Sequence, residues 1–330
     1  MVFSSLPFLF LFLTVVLLVS HILPFRFRNF FLLLANLVFY AYGEPVYVLI
    51  MIGSILVNFF AGLLMDKQST QGRRRAVLVV GIVLNLAALG VFKYAGLFVS
   101  TLREIPGLSS LPEVDIALPI GISFYTFQAV SYLIDVYWDD CAASHNLINF
   151  ASYISLFPQL IAGPIVRYKD VNEQLVSRRE TPTLFNSGVR LCVVGLAKKV
   201  LLANQFGMLW DAMSADPVAA GALGAWAGAC AYTLQIYFDF AGYSDMARGL
   251  GRMLGFEFCI NFNYTYISKS VTEFWRRWHI SLSTWFRDYV YIPLGGNRFG
   301  KLRQCVNILV VWALTGFWHG EGWMFLFWGF

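Results

Sequence analysis

The sequence predicts an all-α membrane protein, a polytopic bundle of transmembrane helices. Of its 330 residues, 58% are hydrophobic and only 13% are charged, whereas soluble domains carry about 25% charged residues. The net charge of +5 comes from basic residues in the loops between apolar runs, which is the pattern of cytoplasmic loops in membrane proteins. A soluble enzyme, a nucleic-acid-binding domain and a disordered chain are therefore excluded. A chain of this length can hold roughly eight to ten membrane helices.

Apolar runs place the predicted helices along the chain. The first run lacks the charged leader and cleavage site of a signal peptide, so we expect it to be retained as a helix. Basic residues cluster after the first and third runs, which predicts cytoplasmic loops there and an external N-terminus. The predicted spans are residues 3–23, 30–42, 46–65, 76–99, 116–137, 188–210, 222–240 and 305–330.

One apolar stretch, residues 147–166, does not fit a simple crossing. The basic segment that follows it should also be cytoplasmic, whereas a full span would place that segment outside. Pro158 and the Gly163-Pro164 pair interrupt the stretch. We therefore expect a re-entrant segment with a polar lining, because broken helices at membrane depth need protein or water around them. Residues 241–303 are amphipathic, and we expect most of them at the cytoplasmic face.

Two histidines are candidates for chemistry. His319 lies 14 residues beyond Cys305 in the last apolar run, about 21 Å along a continuous helix. An ionisable group at that depth is costly and indicates a functional site, although a neutral histidine could also bond two helices together. His279 lies in a charged segment, where an ordinary structural role explains it equally well. Neutral imidazole can take a proton from a hydroxyl and pass it to a leaving group.

Several long motifs resemble the membrane-bound O-acyltransferase family, in the bacterial branch typified by the alginate O-acetyltransferase membrane subunit. Three are RRWHISLS from Arg276, WFRDYVYIPLGGN from Trp285 and GFWHG from Gly316. Three more are PIGISFYTFQ from Pro119, FPQLIAGPI from Phe157 and FDFAGYSD from Phe238. The resemblance covers nearly the whole chain. It implies one membrane-embedded domain over residues 1–330, with helices around a tunnel or funnel.

The resemblance also implies a reaction and its catalytic residues. An acetyl group would move from a cytoplasmic thioester, acetyl-CoA, to a hydroxyl. His319 corresponds to the family's invariant histidine and would act as the general base. His279 corresponds to the second family position and would polarise the thioester or orient His319. No bound cofactor is expected, and no metal, because two histidines 40 residues apart make a poor metal site.

Substrate binding is expected from basic, aromatic and small polar residues near these histidines. Arg276 and Arg277, with Trp278 beside them, would hold the phosphate-bearing donor together with Lys301, although interfacial anchoring explains Arg and Trp equally well. Trp318 would wall the site. Acyl transfer also needs a donor group for its oxyanion. The candidates for that group are Asn297, Ser281 and Ser283.

The resemblance further implies a place and partners. We expect a multi-pass protein of the bacterial inner membrane, embedded in the lipid bilayer, that works with periplasmic acetyltransferase proteins on an exported polysaccharide, alginate first. No nucleic acid is involved. The family retains helices after the histidine motif, so we expect this chain to be truncated at its C-terminus. Two other classes remain open: a transporter or flippase, in which buried histidines and re-entrant segments also occur, and a structural subunit of a polysaccharide export complex.

Overall fold

Helices make up the regular structure of residues 2–330, the part of the chain that the computed structural model describes. No strand occurs within that part, so the predicted all-α class is confirmed. In chain order the helices are α1 (Pro7–Ile22), α2 (Phe25–Gly43), α3 (Val48–Asp66), α4 (Gln71–Arg103), α5 (Ile122–Tyr137), α6 (Leu147–Ser155), α7 (Phe157–Leu160), α8 (Tyr168–Val176), α9 (Pro182–Ala215), α10 (Pro217–Met253), α11 (Val271–Arg277), α12 (Ile280–Phe286), α13 (Gly300–His319) and α14 (Trp323–Gly329).

The chain divides into two compact units. The first comprises the residues up to Gly43, together with Ser155–Val166 and Asp170–Ser281. The second comprises Glu44–Ile154, Arg167–Lys169 and Leu282–Phe330. The single domain over residues 1–330 stays a prediction.

In the first unit, α9 and α10 pack through glycines. A Cβ atom added to Gly188 would lie 2.7 Å from the Gly249 carbonyl oxygen, and one added to Gly249 would lie 2.6 Å from the Gly188 carbonyl oxygen. Small residues allow such backbone contact between apolar helices. Lys198 Nζ also donates to Asp245 Oδ2 at 2.6 Å, so these two charges satisfy each other between the helices.

The first unit also contains the predicted break in residues 147–166. Helix α6 ends at Ser155 and the short α7 begins at Phe157. The buried Asn36 side chain accepts a hydrogen bond from the Phe157 N–H at 3.1 Å, which satisfies a donor at the start of α7. The break lies where Pro158 predicts it, whereas the re-entrant path stays a prediction.

In the second unit, polar pairs join the helices. Asn58 of α3 and Asn85 of α4 exchange amide hydrogen bonds of 3.0 and 2.7 Å in a buried position. The fully buried Asp135 carboxylate accepts hydrogen bonds from Lys169 Nζ and Tyr289 Oη, each at 2.8 Å. Buried polar groups are stable only with such partners.

Three helices of the described chain are long and apolar enough to cross a membrane, namely α3, α4 and α9, and α1 is a shorter apolar helix. This is fewer than the predicted eight to ten. The predicted span over residues 222–240 ends before the helix does, because α10 continues to Met253. The backbone of α10 is non-helical at Gly221. Charged residues of this extension form ion pairs, such as Asp245 with Lys198 and Arg248, which allow the helix to continue.

Candidate active site

His319 is the last residue of α13, where the final apolar run breaks. Its ring centroid lies 4.8 Å from that of Trp318 and 5.1 Å from that of Trp328, both edge-on. The side chain is exposed within the described chain. The helix is continuous from Gly300 to His319, as the sequence predicts. The predicted single span over residues 305–330 is wrong, because the backbone is extended at Gly320 and the next helix begins only at Trp323.

Two side chains of α4 hold the carbonyl end of α13. Lys93 Nζ donates to the Trp318 carbonyl oxygen, and Tyr94 Oη donates to the Phe317 carbonyl oxygen at 2.6 Å. The Tyr94 and Phe317 rings also stack, with centroids 3.8 Å apart. The last carbonyls of a helix lack helical partners and carry the negative end of its dipole, so a cation is favourable there. The pair therefore fixes the residues immediately before His319.

Sequence reasoning missed Lys93. The sequence does indicate this residue, because Lys93 is a single charge near the end of an apolar run. An ionisable residue in a membrane helix indicates function by default. The side chain is 6% exposed. Its partner Trp318 stands 225 residues away in the sequence, so no local pattern could reveal the contact.

Glycines bring α13 and α14 into backbone contact next to His319. A Cβ atom added to Gly316 would meet the Phe325 carbonyl oxygen and would lie 2.9 Å from Gly329 Cα. A Cβ atom added to Gly329 would lie 2.5 Å from the Trp312 carbonyl oxygen. Gly316 therefore allows α14 to pack closely against α13.

We expect Gly316→Ala to destabilise the protein. The added methyl group would overlap the α14 backbone, and overpacking of this kind costs about 1–3 kcal/mol. Thermal unfolding of the full-length protein in detergent measures the effect. Gly322→Ala is the matched control, because the nearest atom to its added Cβ is Phe325 Cδ2 at 3.9 Å. Equal midpoints for the two variants would contradict the close contact.

An apolar cavity of about 740 Å³ lies in the second unit. Trp318 and Tyr94 form part of its wall, together with Phe98, Phe127, Trp285 and Leu314. Trp285 is fixed there because its indole N–H donates to the Phe127 carbonyl oxygen at 3.1 Å. Ligand sites have volumes of about 300–1,000 Å³, so the cavity is large enough for a small molecule.

His279 lies in a buried polar cluster of the first unit. The residue is 1% exposed and its φ is +43°, a left-handed conformation that is costly for a residue with a side chain. His279 Nδ1 lies 3.2 Å from Asn261 Oδ1. The Ser281 N–H and hydroxyl donate to the same oxygen at 3.1 and 2.9 Å. Asn261 therefore holds both residues, although no sequence pattern indicated it.

The hydrogen bonds of this cluster fix the tautomer of His279. A backbone N–H can only donate, so the Asn261 atom facing Ser281 is the carbonyl oxygen. That oxygen cannot donate to His279, and the Nδ1 atom must therefore carry the proton. The neutral ring then has its lone pair on Nε2. Ser281, predicted to bind substrate, uses its hydroxyl within the fold, because its Oγ also accepts the Ile165 N–H at 3.0 Å.

The two arginines predicted to bind the donor differ in their surroundings. Arg276 is exposed at the end of α11. Arg277 is engaged locally, because its Nε donates to Glu273 Oε1 at 3.0 Å and its Nη1 to the Asn263 carbonyl oxygen at 3.1 Å. The Lys269 N–H, and then the Arg277 guanidinium, hold the pKa of the Glu273 carboxyl below its usual value.

The remaining predicted site residues lie in both units. Trp278 packs against the Phe262 and Phe274 rings at centroid distances of 5.0 and 5.8 Å in the first unit. Asn297 and Lys301 are exposed in the second unit. His279 belongs to the first unit and His319 to the second. The roles assigned to all these residues stay predictions.

Comparison with known proteins bears on this arrangement. Residues 141–330 match the sequence model of the membrane-bound O-acyltransferase (MBOAT) family. The whole chain is 47% identical to the probable alginate O-acetylase AlgI of Pseudomonas aeruginosa, of which it covers 64%. It is 46% identical to the protein of the same name from Azotobacter vinelandii, of which it covers 66%. The chain thus spans about two-thirds of the length of these relatives.

A more distant relative acts on a different polymer. Over 92% of its length the chain is 35% identical to the peptidoglycan O-acetyltransferase of Helicobacter pylori, of which it covers 62%. Relatives of this sequence thus carry names for acyl transfer to at least two cell-envelope polymers.

Proposed function

Because this chain belongs to the membrane-bound O-acyltransferase family, we propose that it transfers an acetyl group from a cytoplasmic thioester, acetyl-CoA, to a hydroxyl for the acetylation of an exported polysaccharide. The name of the AlgI relatives favours alginate as that polysaccharide. The proposed site is the inner membrane of a bacterium, with periplasmic acetyltransferase proteins as partners. The observation that carries the proposal is His319, exposed at a helix end that Lys93 and Tyr94 hold in place.

The proposed reaction uses His319 as the general base. The acceptor oxygen forms a bond to the thioester carbonyl carbon, the carbonyl π pair moves to oxygen, and the hydroxyl proton passes to the His319 ring. The carbonyl then reforms as the C–S bond breaks. The departing thiolate takes the proton from His319, so the products are an ester and a thiol. An exposed imidazole held between two indoles is suited to this exchange.

His279 has a more limited role in this proposal. Polarising a carbonyl requires a donor, and the neutral His279 ring has its only N–H bonded to Asn261. Of the two roles expected from the family resemblance, polarising the thioester or orienting His319, this hydrogen bond to Asn261 therefore argues against the first.

We expect Arg276→Ala to raise the KM for acetyl-CoA about tenfold, with kcat little changed. Loss of one charge-assisted hydrogen bond to phosphate corresponds to about 1.5–3 kcal/mol. Arg276 is the exposed member of the arginine pair, whereas Arg277 is bonded to Glu273. Arg75→Ala removes an exposed arginine elsewhere and is the matched control. Equal KM values for the two variants would show that Arg276 does not bind the donor.

The experiment for the function itself compares cells with and without the full-length protein. We expect O-acetyl groups on the exported polysaccharide only when the protein is present, and label from acetyl-CoA in those groups. Loss of the polymer itself in cells that lack the protein would indicate a transporter. Acetylation that continues without the protein would refute the proposal.

A further inference from the structure

Lys93 is a buried cation within a helix of membrane-spanning length. Its Nζ atom lies 5.6 Å from the Tyr94 ring centroid and 5.9 Å from that of Trp318. The charge of Glu321 reaches Lys93, but no ion pair joins them within residues 2–330. The cation is therefore stabilised by a helix end, one carbonyl and two aromatic faces.

The hydrogen bond that Lys93 donates to the end of α13 does not explain why residue 93 carries a charge. A neutral donor satisfies the preceding carbonyl, because Tyr94 Oη bonds to Phe317. A neutral amide at position 93 could bond to Trp318 in the same way. An ammonium group has three donors, and the Trp318 carbonyl accepts one of them. A charge in a membrane helix is costly and is expected where function needs it.

Lys93 is also close to the proposed base. Its hydrogen-bond acceptor is the main-chain carbonyl oxygen of Trp318, the residue before His319. Two of the three residues that the sequence suggested as the oxyanion donor are less suitable. Ser281 uses its hydroxyl within the fold, and Asn297 is an exposed loop residue.

We propose that the Lys93 ammonium stabilises the negative charge that forms on the thioester carbonyl oxygen during acyl transfer. This inference rests on the proposed function. When the hydroxyl oxygen bonds to the carbonyl carbon, the π pair moves to the carbonyl oxygen and His319 takes the proton. The anion returns its electron pair as the C–S bond breaks, and His319 gives the proton to the thiolate. A cation that is already held in place needs no reorganisation to stabilise that anion.

The test separates the charge of Lys93 from its hydrogen bond. Lys93→Gln keeps an N–H donor for the Trp318 carbonyl but removes the charge, and Lys93→Arg keeps both. Lys67→Gln is the matched control, because it makes the same substitution at an exposed lysine directly after α3. Each full-length variant is assayed in membranes, with labelled acetyl-CoA and the polysaccharide acceptor, after its amount has been matched to wild type.

We expect Lys93→Gln to lower kcat by about 10²–10³-fold, the usual effect of losing one oxyanion donor, with little change in KM. Lys93→Arg should stay within about tenfold of wild type, and Lys67→Gln should behave like wild type. A Lys93→Gln protein with the wild-type kcat would overturn the inference and leave Lys93 as a helix cap. If Lys93→Gln does not accumulate, an accumulated but inactive Lys93→Arg overturns it, and an active one supports it. Absence of product from the wild type is a separate result, which refutes the proposed function.

Discussion

Replacing His319 by alanine is expected to abolish acetylation while export of the polysaccharide continues. A positioned general base contributes about 10²–10⁴-fold to the rate, and alanine offers no proton acceptor. The fold should survive the change. The contacts of the side chain are the edge-on indoles of Trp318 and Trp328, and it makes no hydrogen bond within the described chain, so its loss leaves no buried polar group without a partner.

The measurement is the O-acetyl content of the exported polysaccharide in cells that carry wild type or His319→Ala at matched membrane levels. His145→Ala is the control, because that histidine is 70% exposed and its contact is Asp66 at 3.4 Å. Unchanged acetylation in His319→Ala would remove this residue from the mechanism and favour a structural subunit. Loss of polymer export would favour a transporter.

The fold class follows from the sequence because it depends on composition and periodic runs. A chain with so few charges cannot cover a soluble core, and helices are the structure that long apolar runs adopt in a bilayer. Breaks caused by proline are equally local, and the one at Pro158 lies where the sequence predicts it. The end of α13 could also have been predicted from the sequence, since Gly320-Glu321-Gly322 interrupts the apolar run directly after His319.

Features that depend on distant partners could not be predicted. Asp245 within α10 is bonded to Lys198, which stands 47 residues earlier in the sequence. Lys93 stands out in the sequence as a single charge in an apolar run, but its bond to the Trp318 carbonyl is visible only in the structure. The family resemblance points to His279 and His319, whose catalytic roles stay predictions, but the tautomer of His279 depends on Asn261, which no motif distinguished. Side-chain partners across a helical protein are set by packing, and their spacing in sequence follows no period.

Replacement of Asn261 is the second change expected to have a large effect on the protein. Its side-chain oxygen accepts three hydrogen bonds in the His279 cluster. We expect Asn261→Ala to prevent accumulation of folded protein. It would leave the Ser281 N–H, the Ser281 hydroxyl and the His279 Nδ1–H without their acceptor. Each buried group left unsatisfied costs about 1–3 kcal/mol, and total stabilities of proteins are about 5–15 kcal/mol. The positive φ of His279 would lose its support at the same time.

Two further variants make this expectation specific. Asn261→Asp keeps an oxygen in the same place, so it should accept the same three hydrogen bonds and accumulate far better than Asn261→Ala. Asn263→Ala removes an exposed amide two residues away and should behave like wild type, since Arg277 bonds to the backbone carbonyl there. The amount of protein in the membrane and its unfolding midpoint in detergent are the measurements. If Asn261→Ala matched Asn263→Ala in both, the cluster would not depend on the Asn261 oxygen, and the tautomer assigned to His279 would lose its structural basis.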